Sequence, residues 1–242
     1  MTALVPAIAT AISLAFGIHL LVRFARRRRW AEGIWAIALL MYATASGALT
    51  LGVMEPGWTP ALFRTYWLFG AVLNVPYLAL GEVYLLSRRP WVGHLGLAVV
   101  LAATAYATLV VRSAPVDPII SAAPPSLGPG EHGSGGAFYT GREVFGEGAP
   151  ARTLAMIYSY TGTAVLVLGI LWSALGMRGR PDLRHRLHGT LLIAGGALVV
   201  AGGSAFAAAG NATGFSLTLA VGVAVMYRGF LVATRRPAAP RA

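Results

Sequence analysis

Seven long apolar runs constrain this chain more than any other feature of its sequence. A helix needs about 20 apolar residues, each rising about 1.5 Å, to cross the hydrocarbon core of a bilayer. These runs cover residues 3–22, 31–53, 65–87, 91–111, 153–176, 187–209 and 213–233. We therefore predict an all-α integral membrane protein. A single seven-helix transmembrane domain would occupy residues 1–236, followed by a short tail, 237–242.

The composition favours the same fold class. Hydrophobic residues make up 57% of the chain and charged residues only 11%, which is about half of the share usual in soluble domains. The net charge of +11 is typical of nucleic-acid-binding proteins, but here the arginines flank the apolar runs. We therefore expect the lipid bilayer as the partner and no nucleic acid. The absence of cysteine excludes disulfides, thiolate metal ligands and cysteine nucleophiles.

The positions of the arginines predict the orientation. If the N-terminus is outside, the inner loops and tail hold fifteen of the nineteen arginines, and the outer segments hold only four. Because basic residues are enriched on the cytoplasmic side, this bias predicts an outer N-terminus and a cytoplasmic C-terminus. The lack of lysine, with abundant Ala, Gly and Arg, is typical of GC-rich bacterial genomes, so we expect the cytoplasmic membrane of a bacterium.

The fourth and fifth spans are joined by a long outer loop, residues 112–152. Its first part is rich in Pro, Gly, Ala and Ser, a composition with little apolar surface to bury. Its second part, AFYTGREVFGEG, carries several aromatic residues. Two structures fit this second part: a short amphipathic helix that lies on the outer surface or caps the bundle, or a flexible loop with one apolar patch.

The third span contains an acidic residue, in the stretch NVPYLALGEVYLLSRRP. Glu82 lies six residues before Arg88, which places it about 9 Å inside the membrane boundary. A carboxylate at this depth costs up to about 3 kcal/mol on insertion scales. Glu82 should therefore face the bundle interior or a wet cavity, carry a proton, or pair with a partner such as Arg88 or Arg89.

The same span carries two further polar residues on one stripe. Asn74 and Tyr77 flank Pro76, which interrupts the helical hydrogen-bond ladder and is expected to kink the helix. A kink beside these side chains is a candidate ligand or water site. The alternative is that they join helices, since Asn forms hydrogen bonds across helix interfaces in membranes.

Histidines occur near the same end of other spans. Imidazole and carboxylate groups together bind transition metals or relay protons. Our candidates for a ligand or proton-relay site are therefore Glu82, Asn74, Tyr77, His19 and His94. Those for a metal site are His19, His94, His188 and Glu82. The simpler interpretation is that these histidines are interfacial and that the acids pair locally, Glu32 with the arginines at 26–29.

Glycines recur every seven residues in two spans. Such stripes allow close helix approach where lipid supplies no hydrophobic force, so the fifth and sixth spans should pack tightly against each other or their neighbours. The stripes are Gly162, Gly169 and Gly176, then Gly189, Gly196, Gly203 and Gly210.

One short motif resembles a known family. The stretch RTYWLFG, residues 64–70, is similar to the start of the third helix of microbial rhodopsins. That resemblance implies a retinal bound to a lysine of the last helix, but the chain has no lysine, so covalent retinal is excluded. Seven-span zinc hydrolases of the ceramidase and adiponectin-receptor type carry a His-x-x-x-His motif in the last helix, which is absent here.

These observations leave three classes of function. The first is a non-enzymatic helix bundle that senses or transports a small ligand or ion. The second is a membrane-embedded metal- or haem-dependent enzyme or redox protein that uses the inner-leaflet histidines. The third is an accessory membrane subunit. We predict the first class, without an assigned cofactor.

Overall fold

The computed structural model describes residues 3–54, 58–87, 89–120, 139–177, 184–208 and 212–234. Over these residues the chain is helical and forms no strand. The elements are α1 (Leu4–Arg27), α2 (Trp30–Gly52), α3 (Pro60–Tyr66), a π-helical segment (Trp67–Leu73), α4 (Asn74–Leu86), α5 (Pro90–Ser113), a 3-10 turn (Pro118–Ile120), α6 (Gly141–Phe145), α7 (Pro150–Met177), α8 (Arg184–Ala208) and α9 (Ala212–Thr234). The predicted all-α class is confirmed.

Five helices are long and apolar enough to cross a membrane. They are α1, α2, the continuous rod Pro60–Leu86, α5, and α7 over Pro150–Ser173. The helices α8 and α9 carry shorter apolar stretches, Leu187–Val200 and Leu217–Val232. These helices indicate a multi-pass membrane protein, while the number seven and the orientation stay predictions.

The ends of the first helices follow from local chemistry. The predicted first span stops at residue 22, but α1 continues through arginines to Arg27, because arginine is a good helix former whose long side chain reaches water. Arg28 then adopts a left-handed conformation, with φ of 53°, and its N–H donates to the carbonyl of Phe24. This is an αL termination of the helix.

Six helices contact one another in a closed ring. The contacts run from α1 to α2, then to α4, α7, α8 and α9, and from α9 back to α1. The helix α5 lies outside this ring, against α4 and α7. Much of α5 is exposed, including Leu95, Val99 and Leu109, which is the pattern expected of a helix that faces lipid.

Glycines set the closest approaches between helices. A Cβ atom on Gly162 of α7 would lie 3.1 Å from the backbone N of Pro76 in α4. A Cβ atom on Gly196 of α8 would lie 2.6 Å from the carbonyl O of Gly222 in α9. The fifth predicted span therefore packs on the third, and the sixth on the seventh. No described atom lies within 4 Å of a Cβ on Gly176, whereas Gly203 and Gly210 lie outside the described side chains.

The third predicted span is not a uniform α-helix. Its π-helical segment, Trp67–Leu73, lies just before Pro76, which has no N–H to donate to the preceding turn. A carbonyl of this π-helical segment forms a hydrogen bond to another helix: the hydroxyl of Ser159 in α7 donates to the carbonyl of Ala71 at 2.9 Å. A single π-helical turn often marks a functional region of a helix.

The second part of the long loop caps one end of the bundle. Thr140 and Glu143 form a capping box that starts α6. The ring of Phe145 packs on those of Phe63 and Trp67, with centroids 5.6 Å apart in both pairs. The indole of Trp67 donates to the carbonyl of Ala151 at 3.1 Å. Of the two alternatives for this segment, the described residues form the cap, and the rest of the loop, 121–138, lies outside them.

Candidate functional site

Glu82 of α4 lies inside the helix bundle. Only 4% of the residue is exposed. Its side chain fits because the facing residue of α7 is a glycine: a Cβ atom on Gly169 would lie 2.7 Å from Cγ of Glu82 and 3.4 Å from its Oε1. The glycine stripe of the fifth predicted span therefore makes room for the carboxyl group as well as for the helix backbone.

Two cavities meet at this carboxyl group. The interior cavity has a volume of about 30 Å³ and is lined by Phe16, Leu20, Trp35, Leu78, Glu82, Leu166, Ile193, Met226 and Phe230. These residues come from all six helices of the ring, so the cavity lies at its centre. The open cleft has a volume of about 310 Å³ and is lined by Glu82, Val83, Leu86, Ser87, Val92, Val165 and Gly169. Among the described residues, Glu82 alone lines both.

No described residue forms a hydrogen bond or an ion pair with Glu82. The two other lining residues with a polar side chain, Trp35 and Ser87, have other partners. The indole N–H of Trp35 donates to the carbonyl of Leu78 at 3.0 Å. The hydroxyl of Ser87 donates to the carbonyl of Arg89 at 2.8 Å. Arg88, one of the partners considered from the sequence, lies outside the described residues.

Asn74 and Tyr77 instead join helices. The amide N of Asn74 donates to the carbonyl of Ala38 in α2 at 2.9 Å. The hydroxyl of Tyr77 lies 3.2 Å from that of Thr104 in α5. Because Thr104 uses its own proton on the carbonyl of Val100, Tyr77 is the donor. Neither residue lines either cavity, so the structure supports the interhelical alternative for both.

No described histidine lines either cavity beside Glu82. The ring of His19 lies between α1 and α9, with centroids 6.1 Å from Tyr227 and 6.0 Å from Phe230. His94 is exposed, and its Nδ1 donates to the carbonyl of Pro90 at 2.7 Å. Its ring packs near Trp30 and Tyr84, whereas His188 is exposed on α8. In the part of the chain that the structure describes, no three His, Asp or Glu side chains are grouped closely enough to hold a metal ion.

The second buried acid, Glu32, has a partner that its sequence pattern did not indicate. Its Oε1 accepts from Nη2 of Arg23 at 2.9 Å and from Nε at 3.3 Å. The guanidinium also lies 4.9 Å from the ring centroid of Phe230 in α9. One interpretation of the sequence paired Glu32 with the arginines at 26–29. The turn between α1 and α2 instead brings it to Arg23, one turn of α1 further back.

Three comparisons with known proteins find no relative of this chain. No protein-family model, no curated protein and no solved structure matches it. What the protein does has therefore to be inferred from its own side chains and cavities.

Proposed function

We propose that this chain is a seven-span protein of the bacterial cytoplasmic membrane, with its N-terminus outside and its C-terminus inside. Five helices already have the length and hydropathy of spans. The other two, α8 and α9, contain 25 and 23 residues. At about 1.5 Å per residue both helices match the thickness of a bilayer core. The excess of arginine in the predicted inner loops supports the orientation.

Single cysteines test this orientation without background labelling, because the chain contains no native cysteine. Ser113 and Arg89 lie at opposite ends of α5, and both are exposed. In intact spheroplasts, a membrane-impermeant maleimide should label Ser113→Cys and should label Arg89→Cys only after lysis. The reverse order of labelling would overturn the orientation.

For the activity, we propose a non-enzymatic sensor or transporter that binds one small ligand at Glu82. The observation that carries this proposal is the position of Glu82, which is buried, has no partner among the described residues and lines both cavities. A buried carboxyl group without a partner costs free energy that packing alone does not recover. Ionisable residues inside membrane bundles are typically functional, so we assign this cost to ligand recognition.

Two other functions considered for this site, a proton relay and a metal or haem enzyme, have less support. A proton relay through Glu82 needs a second proton carrier within hydrogen-bond reach. The other side chains that line the interior cavity are apolar except that of Trp35, whose N–H already donates to the carbonyl of Leu78. A metal or haem enzyme needs histidines that converge. His19 and His94 instead pack in separate aromatic clusters.

Carbodiimide labelling tests the proposed site. Dicyclohexylcarbodiimide is apolar and forms a stable acylurea with carboxyl groups that it reaches from the lipid phase. In nanodiscs, mass spectrometry of the digested protein should find the adduct on Glu82, which lines the open cleft. It should not find it on Glu32, whose carboxylate is held by Arg23.

Two glycine variants provide the matched control for this labelling. Gly169→Ala places a methyl group against Glu82, so it should reduce the labelling. Gly176→Ala adds the same methyl group to the same helix, where no described atom lies within 4 Å of it, and should leave the labelling unchanged. An unlabelled Glu82, or equal labelling of Glu32, would contradict the proposed site.

A further inference from the structure

We infer that the ligand of the open cleft is a lipophilic amine, a protonated amino group on a small apolar body. This inference rests on the proposed function, because it names the ligand class of the same site. It follows from the chemistry of the two ends of the cleft and from the surface on which the cleft opens.

The polar end of the cleft selects a positive charge. Neither cavity lining includes a basic side chain among the described residues, and Glu82 is the one acidic group in either lining. The hydroxyl of Ser87 is already used on the backbone. An anion would therefore meet only a carboxyl group of the same sign. An ammonium group supplies three donors and a charge opposite to that of the carboxylate.

The remainder of the cleft selects an apolar body of limited size. Its other side chains are mainly Val83, Leu86, Val92 and Val165. The volume of about 310 Å³ is at the lower end of the range of small-molecule sites, about 300–1,000 Å³. One aromatic ring or a short alkyl chain fits this space. The interior cavity, about 30 Å³, has room for about one water and not for the body of a ligand.

The position of the cleft indicates the route of entry. It opens between α4, α5 and α7, where the neighbouring side chains are exposed: Leu95 by 56%, Val165 by 45% and Leu168 by 66%. In a membrane-spanning bundle this apolar surface faces lipid. A ligand that dissolves in the hydrocarbon phase can therefore reach Glu82 sideways, without crossing the ring of helices.

Three probes of nearly equal shape test the ligand class. They are the 4-fluoro derivatives of 2-phenylethylamine, 2-phenylethanol and phenylacetate, which differ at neutral pH in carrying a positive, zero or negative charge. Binding is followed by ligand-observed fluorine NMR with the full-length protein in phosphatidylcholine nanodiscs, and empty nanodiscs correct for partitioning into lipid.

We expect the ammonium probe to bind at least about tenfold more tightly than the alcohol or the carboxylate, because only it forms a desolvated ion pair. Glu82→Gln should weaken its binding by at least about tenfold. Gly169→Ala should weaken it as well, since the added methyl group moves the carboxyl group. Gly176→Ala should bind as the native protein does.

Three results would overturn the inference. Equal binding of the alcohol and the ammonium probe would show that the cleft takes neutral molecules. If carbodiimide still modified Glu82, the proposed site would survive and only the ligand class would be wrong. Loss of ammonium binding when phosphatidylethanolamine replaces phosphatidylcholine would assign the cleft to a lipid headgroup instead of a free amine. Equal binding of every probe to the native protein and to Glu82→Gln, without carbodiimide labelling, would remove both proposals.

Discussion

Glu32 and Glu82 are almost equally buried, with 5% and 4% of each residue exposed, yet their carboxyl groups have different surroundings. Glu32 accepts two hydrogen bonds from Arg23, and this guanidinium also contacts the ring of Phe230. Glu82 has no such partner among the described residues and lies between two cavities. One glutamate joins α1, α2 and α9, whereas the other faces space.

The presence or absence of a partner for the carboxyl group indicates whether each glutamate serves the fold or a ligand. A carboxyl group in an apolar interior needs a counter-charge, donors or a proton. When the chain supplies the partner, the residue contributes to the fold, and removing the partner leaves a costly orphan charge. When no described residue supplies a partner, the carboxyl group adds no described contact that holds the helices, and we propose a ligand as its partner. The variants below test this distinction.

The largest effect should come from Arg23→Leu, which leaves Glu32 buried without its partner. We expect a loss of about 3–5 kcal/mol in the free energy of unfolding, measured by reversible unfolding in mixed detergent micelles. The double variant Arg23→Leu/Glu32→Leu should recover most of this loss, because it removes both charges together. A single variant as stable as the native protein would show that the pair does not hold the helices.

A smaller loss in the free energy of unfolding should follow from Gly169→Ala. The new Cβ atom would lie 2.7 Å from Cγ of Glu82, and overpacking of this kind costs about 1–3 kcal/mol. Gly176→Ala on the same helix, whose new Cβ atom meets no described atom within 4 Å, should be neutral or more stable by up to about 1 kcal/mol. Adding Glu82→Ala to Gly169→Ala removes Cγ and should restore stability. Equal stability of the two single glycine variants would contradict the close contact between Glu82 and α7.

Asn74→Leu should lower the free energy of unfolding by less than Gly169→Ala does. We expect about 0.6 kcal/mol, the average for a side-chain hydrogen bond between membrane helices. It removes the bond to the carbonyl of Ala38 and nearly preserves the side-chain volume. Binding of the ammonium probe should not change, because Asn74 lines neither cavity. If the variant lost binding of the ammonium probe and kept its stability, Asn74 would be part of the ligand site.

The smallest effect should come from a third glutamate, which is exposed. Glu143 accepts from the backbone N of Thr140 in the capping box of α6. Glu143→Ala should accelerate amide hydrogen exchange in α6 by about twofold and should leave global unfolding unchanged. Glu143→Gln keeps an acceptor at this position and serves as the control. A global loss of stability would show that the cap carries more of the fold than its surface position indicates.

The helices themselves could be predicted from the sequence because each is a long apolar run with clear breaks. The predicted spans 31–53 and 91–111 correspond to Trp30–Gly52 and Pro90–Ser113. The π-helical segment could not be predicted in detail, since Pro76 shows where the ladder is interrupted but not how the preceding turns rearrange. The extension of α1 through the arginines is invisible to a hydropathy pattern, which records only apolar residues.

The site was predicted less completely than the fold. The burial of Glu82 could be predicted from its depth in the membrane, and the structure agrees with that expectation. Its contact with Gly169 could not be identified, because a glycine stripe shows that helices approach closely but not which side chain it accommodates. Likewise, His19 and His94 share an approximate depth with Glu82, but depth does not fix the face of the helix on which a residue lies.

The most direct test of the central claim is the free energy of unfolding of Glu82→Gln, measured beside that of Glu32→Gln under identical conditions. Both substitutions remove a charge and keep the shape of the side chain. We expect Glu32→Gln to lose stability because Arg23 loses its counter-charge. Glu82→Gln should keep or gain stability, by up to about 1 kcal/mol, because no described partner is lost. A loss of stability in Glu82→Gln as large as that in Glu32→Gln would show that Glu82 serves the fold and would contradict the account.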